Sequence, residues 1–117
     1  MRNLFSIAIV VFTAFASTGA FAHAFLDHAN PRVGSTVAAA PHELTLWFTQ
    51  KLEPAFSTVE VIGPNGSSIG GKAQVSGNTM RVGIKAAGPG AYHVHWQALS
   101  VDTHKTQGSF SFTVGGH

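Results

Sequence analysis

Hydrophobic and polar residues alternate with a period of two along much of the chain. In "HELTLWFT" (42–49), Leu44, Leu46 and Phe48 fall on one side of an extended chain and the intervening residues on the other. Three further segments show the same alternation: "FSTVEVIG" (56–63), "AYHVHWQAL" (91–99) and "GSFSFTV" (108–114). No stretch after residue 22 sustains the 3.6-residue period of an amphipathic helix. The pattern therefore predicts strands that each have one apolar face.

Clusters of Gly, Pro and Asn, such as "GPNG" (63–66) and "GPG" (88–90), separate these strands and predict turns. A single apolar face has to be buried against a second sheet. We therefore predict an all-β fold, a small Greek-key sandwich or barrel of about seven strands. The Ala-rich segment 34–41 is a candidate for one short helical turn, because Pro41 would end it.

The aromatic residues after residue 22 are interpreted as core and sheet-packing residues rather than a ligand cage. They are Tyr92, Trp47, Trp96 and five phenylalanines.

The first 22 residues have the pattern of an export signal. A short positive start containing Arg2 precedes an almost uninterrupted apolar run over residues 4–16, and Ala20-Phe21-Ala22 has the small-x-small form that signal peptidase cleaves. The run is shorter than the roughly 20 residues that a membrane-spanning helix needs. We therefore expect residues 1–22 to be a signal peptide that is cleaved before His23. The alternative is an uncleaved N-terminal anchor.

The composition of residues 23–117, which we expect to form one domain, narrows the chemistry. Removing Arg2 from the seven Lys and Arg residues leaves six against five Asp and Glu, so no basic patch for nucleic acid is expected. Cysteine is absent, which excludes disulfides and thiolate metal sites. All seven histidines lie after residue 22, and imidazole is the strongest transition-metal ligand that remains. The composition favours a histidine metal site.

A histidine placed at the N-terminus by cleavage is a chelating residue. The α-amine and ring Nδ1 of His23 can close a six-membered ring on one metal ion. Asp102 and His104, in the segment 99–112, are two residues apart and would project to the same side of an extended chain. One amine and two imidazoles suit the tetragonal preference of Cu(II). Asp102 would then be a further ligand or would orient an imidazole.

Other metal ions fit these residues less well. An α-amine ligand is unusual for Zn(II), and Ca²⁺ and Mg²⁺ need clustered carboxylates. Cu(I) prefers sulfur donors, and Met80 is the only methionine after residue 22. The residues therefore favour Cu(II) as the bound ion.

The remaining histidines leave a second metal site open. His93 and His95 share one strand face and are expected to be exposed, where such a pair chelates weakly. A second site at this pair, or near His28, is neither required nor excluded by the sequence. His42 and His117 are expected to be solvated.

These motifs resemble the CopC family of periplasmic copper-binding proteins over nearly all of residues 23–114. "HAFLDHANPRVGSTV" is similar to the start of such proteins, and "APHELTLWFTQKLEP" to their Ala-Pro-x-x-x-x-Leu-x-Phe strand. The most specific part is "GAYHVHWQALSVDTHKTQGSFSFTV", which looks like the family's pattern around Asp-x-His. Two features differ. The methionine-rich stretch that forms a Cu(I) site in some members is absent, and Phe25 replaces the second histidine of an N-terminal His-x-His.

The resemblance implies a cupredoxin-like or immunoglobulin-like β-barrel that binds Cu(II) through His23, Asp102 and His104. It implies a periplasmic, non-catalytic protein that buffers copper or delivers it to an inner-membrane permease of the CopD type. We expect no membrane insertion after cleavage, and a monomer, because nothing in the strand pattern demands a dimer.

Two alternatives stay open beside this interpretation. One is an enzyme similar to the copper monooxygenases that use a histidine brace, and the other is a metal-free β-sandwich interaction module. No serine–histidine–acid signature indicates a hydrolase. The sequence leaves a combination of Asp102 and His104 with Ser100 or Ser109 open, although neighbours two apart on an extended strand rarely aim at each other.

Overall fold

The computed structural model describes residues 25–115, in which two four-stranded β-sheets pack face to face. Their strands are β1 (Leu26–Asn30), β2 (Thr36–Val37), β3 (Glu43–Phe48), β4 (Thr58–Ile62), β5 (Gln74–Ser76), β6 (Thr79–Gly83), β7 (Gly90–Leu99) and β8 (Lys105–Val114). One sheet has the order β1-β3-β6-β5 and the other β2-β8-β7-β4. Neighbouring strands are antiparallel, except that β2 runs parallel to β8. The predicted all-β sandwich is confirmed, while the predicted signal peptide lies outside the described residues.

The predicted alternation fixes which side of each strand faces the interior. Leu44, Leu46 and Phe48 on β3 are each at most 1% exposed, and their neighbours on the strand are more exposed. Both sheets bury their apolar faces in one cluster, which also includes Val59, Val61, Met80, Val82, Tyr92, Val94, Trp96, Phe110, Phe112 and Val114. Burial of this apolar surface is the main force that holds the two sheets together.

The aromatic prediction is correct for most residues, including Trp47, which packs on the sheet against His28, but wrong for Phe25 and Phe56. Trp47 lies on the outer face of its sheet, because Leu46 and Phe48 on either side of it already point inward. Phe25 and Phe56 are exposed, at 37% and 64%. The aromatic interior is therefore smaller than the sequence suggested.

The Ala-rich segment also differs from its prediction. It forms no helix within residues 34–41, and Thr36–Val37 instead make the short strand β2, which pairs with Thr113 and Val114 of β8. A two-residue pairing of this kind depends on contact with a distant strand, so the local sequence does not reveal it. The one helical segment in the described residues is a 3-10 turn over Pro54–Phe56.

The long β7–β8 hairpin ends at the loop that carries Asp102 and His104. Its register runs without a shift to the pair Leu99 and Lys105, where the loop begins. Gly108 permits this hairpin to pack closely, because a Cβ at that position would lie 2.6 Å from the ring of Trp96. Within residues 25–115, no helix has the length and apolar character required to cross a membrane.

Candidate metal centre

The loop between β7 and β8 is a tight turn held by backbone hydrogen bonds. The amide of Ser100 donates to the carbonyl of His104 (3.0 Å), and the amide of Thr103 donates to the carbonyl of Ser100 (2.8 Å). Thr103 has a φ of +72°, a left-handed conformation that a β-branched residue rarely adopts. The expectation of an extended chain at Asp102 and His104 is therefore wrong, and a turn brings their side chains together.

Three side chains of this loop meet at one carboxylate oxygen. Ser100 is completely buried and donates its hydroxyl to Oδ1 of Asp102. Nδ1 of His104 lies 3.3 Å from the same Oδ1. The side chains of Asp102 and His104 are about half exposed, at 45% and 50%. Because Nδ1 faces the carboxylate, Nε2 is the ring nitrogen of His104 that is placed to bind a metal ion.

This arrangement is unlike the site of a serine hydrolase. A nucleophilic serine has to contact the histidine and be open to substrate, with the acid on the other ring nitrogen. Ser100 instead binds Asp102 and has no exposed surface. The loop therefore orients a carboxylate and an imidazole rather than activating a hydroxyl.

The hydrogen bond from Ser100 lowers the pKa of the Asp102 carboxyl below its ordinary value of 3.8. Desolvation acts in the opposite direction but is outweighed, and the contact with His104 lowers the pKa further. Imidazole gives up its proton only near pH 6.5 in the absence of perturbation. Asp102 thus loses its proton at a lower pH than an unperturbed imidazole does.

The first described residues lie at the same end of the sandwich as this loop. The amide of Thr49 donates to the carbonyl of Phe25 (2.9 Å), and the amide of Phe25 donates to Oγ1 of Thr49 (2.9 Å). Two residues further along the chain, the carbonyl of Lys51 accepts from the amide of Val101 (3.0 Å). Segment 49–51 therefore joins the N-terminal strand to the loop that holds Asp102.

The structure brings together two of the three predicted metal ligands. Asp102 and His104 are in contact, and His23 lies outside the described residues. Within residues 25–115, no three His, Cys, Asp or Glu residues stand close enough to hold a metal ion. A complete site at Asp102 and His104 therefore requires donors from another part of the chain or from solvent.

His28 has partners of its own on the outer face of the first sheet. It follows a β-bulge at Asp27, and its ring stacks on Trp47 with centroids 4.3 Å apart. Nδ1 of His28 lies 2.7 Å from Oδ2 of Asp27. These contacts account for His28 as a stacked surface histidine.

The other described histidines are exposed, as expected. His93 and His95 point away from the core on β7, and His42 precedes β3. His117 lies outside the described residues.

Sequence reasoning missed the part that Ser100 plays in the site. Residues Trp96 and Ala98 are buried on β7, and Ser100 continues that inward series two residues later. A hydroxyl in a buried position needs a hydrogen-bond partner. The inward position of Ser100 therefore indicated that its hydroxyl forms a hydrogen bond to another group of the loop.

The fold and this loop are those of a small β-sandwich with a polar His–Asp site at one end, and comparison with known proteins gives the family. The CopC domain matches residues 26–115. The chain belongs to the CopC family. The resemblance noted in the sequence is thus confirmed.

Relatives match along most of the chain. Copper resistance protein C of Xanthomonas campestris pv. juglandis is 32% identical over 123 residues, covering 97% of this chain and 96% of that protein. Copper transport protein CutJ of Bacillus subtilis is 28% identical over 119 residues, covering 97% of this chain but 22% of that protein. The crystal structure of CopC from Methylosinus trichosporium OB3b superposes with a TM-score of 0.76 at 30% identity, covering 81% of this chain and 96% of that one.

Proposed function

We propose that this protein binds Cu(II) in the periplasm and serves copper homeostasis or resistance. The ligands in this proposal are the amine and ring of His23, together with Asp102 and His104. Similarity to a copper resistance protein over almost the full chain supports copper as the metal. The main support for the proposal is the contact between Asp102 and His104. Their loop is hydrogen-bonded to segment 49–51, to which the backbone of Phe25 is also hydrogen-bonded.

The loop offers one carboxylate and one imidazole in a fixed arrangement. Oδ1 of Asp102 accepts from Ser100 and faces Nδ1 of His104, and we assign Oδ2 and Nε2 as the atoms that bind the ion. A carboxylate that orients an imidazole raises its affinity for metal. Mixed nitrogen and oxygen donors suit the tetragonal geometry of Cu(II).

The remaining donors can reach this loop from the N-terminus. Residue 23 is two positions before Phe25, and two extended residues span at most about 7 Å. The carbonyl of Phe25 accepts a hydrogen bond from the amide of Thr49. Two residues later, the carbonyl of Lys51 accepts one from the amide of Val101, the neighbour of Asp102. This short path supports His23 as the ligand that completes the site.

Export and ligand formation are coupled in this proposal. Residues 1–22 act as a signal peptide, and cleavage after Ala22 creates the α-amine donor. The complete site therefore forms only after the chain has left the cytoplasm, which keeps the protein from binding copper there through its amine.

We also propose that copper passes from this site to an inner-membrane permease of the CopD type. In CutJ, a copper transport protein, the region similar to this chain is 22% of a longer protein, so the relative carries such a domain within a larger chain. Phe25 and Val101 expose 37% and 50% of their surface, and the backbone of each is hydrogen-bonded to segment 49–51. They offer a partner an apolar surface next to the metal ligands.

This partner surface can be tested with the double substitution Phe25→Ser and Val101→Ser. Copper affinity should stay unchanged, while copper transfer to vesicles that contain a CopD-type permease should slow by about tenfold, as expected when an interface loses 1–2 kcal/mol. Unchanged transfer would show that the partner docks elsewhere.

We propose that the protein binds copper without catalysis. Oxygen activation by a copper ion needs open coordination positions, and the carboxylate of Asp102 beside His104 is placed to fill one. The copper-loaded protein should therefore turn over no polysaccharide with hydrogen peroxide beyond the rate of free Cu(II). Sustained, protein-dependent turnover would favour the monooxygenase alternative.

The ligand assignment is tested by the Cu(II) affinity of three variants of the cleaved protein. His104→Gln removes a nitrogen ligand and should weaken binding by about 100-fold, and Asp102→Asn, which keeps the shape but not the charge, by about tenfold. His42→Gln replaces an exposed histidine outside the loop and should bind as the natural chain does. Equal affinity of His104→Gln and the natural chain would contradict His104 as a ligand, whereas no specific Cu(II) binding by the natural chain would support the metal-free alternative.

A further inference from the structure

A second pair of histidines lies on the outer face of the second sheet, apart from the Asp102 loop. His93 and His95 both project from β7 into solvent, opposite the buried residues that alternate with them. Cα atoms two residues apart on a strand are separated by about 6.6–6.8 Å, and the side chains point to the same face. Two imidazoles at this spacing can lean together and bind one metal ion.

The strand register surrounds this pair with residues that do not repel a cation. None of the four residues directly opposite the histidines is basic, and one of them is acidic. They are Ser109 and Glu60 opposite His95, and Ser111 and Ile62 opposite His93. The two histidines line an open depression of about 360 Å³ on this face.

A hydrogen bond orients the ring of His95 within this depression. Its Nδ1 lies 2.6 Å from Oγ of Ser109 and 3.5 Å from the carbonyl oxygen of Gly108. A carbonyl oxygen can only accept, and a hydroxyl can accept or donate, so a proton on Nδ1 is the arrangement that suits both neighbours. That tautomer puts the lone pair of His95 on Nε2. Metal-binding histidines are commonly fixed in this way, by donation from the other ring nitrogen to an oxygen.

The contact between Ser109 and His95 is not that of a hydrolytic pair. In such sites the serine hydroxyl contacts Nε2 and an acid contacts Nδ1. Here the serine contacts Nδ1. The geometry thus holds a ligand nitrogen outward instead of activating the hydroxyl.

We propose that His93 and His95 form a second Cu(II) site, open to solvent and separate from the N-terminal one. Within residues 25–115 no third metal-ligating side chain joins them closely enough to make a cluster, so two imidazoles carry the site and water completes the coordination. With fewer protein donors, it binds more weakly than the N-terminal site. It requires neither cleavage nor His23, and it doubles the copper that one chain holds when copper is abundant.

The number of Cu(II) ions bound per chain tests this second site. Cleaved protein should take up two equivalents, the weaker one with its own electron paramagnetic resonance spectrum. The double variant His93→Gln/His95→Gln should take up one, whereas His42→Gln, which replaces an isolated exposed histidine, should take up two. A double variant that binds two equivalents as tightly as the natural chain would overturn the proposal.

A pair of serine variants tests how His95 is held. Ser109→Ala removes the partner of Nδ1 and should weaken the second equivalent by about tenfold, the effect of losing a group that orients a ligand. Ser111→Ala is the matched control. Ser111 occupies the corresponding position beside His93, but within the described residues no hydrogen bond joins it to that ring. Equal affinities of the two variants would contradict the orienting role of Ser109.

The His104→Gln protein separates this proposal from the N-terminal site. Binding of the weaker equivalent should persist in that variant with an unchanged spectrum, because neither His93 nor His95 contacts the loop. Loss of both equivalents in His104→Gln would show that the pair on β7 is no independent site. Retention of both, with the tight equivalent bound as strongly as in the natural chain, would contradict the ligand assignment at the loop and leave the second site intact.

Discussion

The strands of the β7–β8 hairpin and the loop at its end are specified in different ways. Every second residue of β7 from Tyr92 to Ala98 is buried, so the strand is held by apolar packing. The loop buries no apolar side chain, and the only one it has, Val101, is half exposed. The loop is held instead by buried Ser100 and by a left-handed residue at position 103. Substitutions of buried strand residues should therefore change stability, and substitutions of the polar loop residues Ser100, Asp102 and His104 should change metal binding at the loop.

The largest effect is expected from Phe112→Ala in β8. Phe112 is 1% exposed and stacks on Tyr92 with ring centroids 5.1 Å apart. The truncation should lower the free energy of unfolding by about 3–5 kcal/mol, through lost burial and a cavity. Urea denaturation of the metal-free protein measures this change. Phe56→Ala, at a residue that is 64% exposed, is the control and should change it by less than about 0.5 kcal/mol. The comparison fails if the folded fraction of Phe112→Ala also binds Cu(II) much more weakly.

A smaller loss of stability is expected from Gly108→Ala. The new Cβ would lie 2.6 and 2.8 Å from two ring atoms of Trp96, which is buried. Moving that ring should cost about 1–3 kcal/mol, and its fluorescence spectrum should shift. Gly71→Ala is the control, since the nearest atom to its Cβ would be a carbonyl oxygen at 3.8 Å. Equal unfolding free energies for the two variants would contradict the tight packing of the hairpin.

In the loop, Ser100→Ala should act on the metal site. Loss of the hydroxyl donor should raise the pKa of Asp102 toward its ordinary value of 3.8, which a carboxyl ¹³C NMR titration can follow. Copper affinity should fall by about tenfold, because Asp102 no longer has a fixed orientation. Ser111→Ala, on the outer face of β8, should leave both quantities unchanged. An unchanged titration of Asp102 would contradict the role of Ser100.

The same hydrogen bond predicts a pH dependence of stability. The folded pKa of Asp102 is lowered, so its carboxylate contributes stability above the unfolded value near 3.8, and this contribution is lost as the pH falls through the folded pKa. The difference in unfolding free energy between the natural chain and Asp102→Asn should therefore shrink between pH 5 and the most acidic pH at which both fold. A difference that grows on acidification would reverse the assigned direction of the pKa shift.

The smallest effect is expected from Thr103→Gly. Glycine adopts a φ of +72° without the steric cost that threonine has, and the gain is offset by its greater freedom in the unfolded chain. We expect stabilisation of no more than about 1 kcal/mol and unchanged copper affinity. Thr113→Gly, in β8, should instead destabilise the protein by up to about 1 kcal/mol. Effects of the same sign in the two variants would contradict a left-handed conformation at Thr103.

The apolar alternation was enough to predict the sandwich, because strands with one apolar face form a sheet whose apolar side is buried by packing against a second sheet. The same alternation also placed Trp47 opposite Leu46 and Phe48, so its outward position was available from the sequence. Strand β2 was not predictable, since two residues beside an Ala-rich run carry no periodic signal and their pairing depends on β8. Tertiary contact, rather than local preference, decides that element.

The loop was predictable in its chemistry but not in its geometry. Asp-x-His identified Asp102 and His104 as candidate ligands. The turn between them depends on Thr103 in a left-handed conformation that glycine or asparagine usually adopts. The residue type at position 103 therefore did not predict the turn. Ser100 could have been found from its place in the inward series of β7, because a buried hydroxyl needs a partner.

In the proposed tight site, the N-terminal histidine and the Asp102–His104 loop bind one Cu(II) together. The most direct measurement is an electron paramagnetic resonance titration of the protein beginning at His23, beside the same protein with one additional N-terminal methionine. We expect a nitrogen-rich tetragonal signal for the tight equivalent, and the added residue should abolish it. Identical spectra and affinities from the two proteins would contradict this expectation and would place the tight site away from the N-terminus.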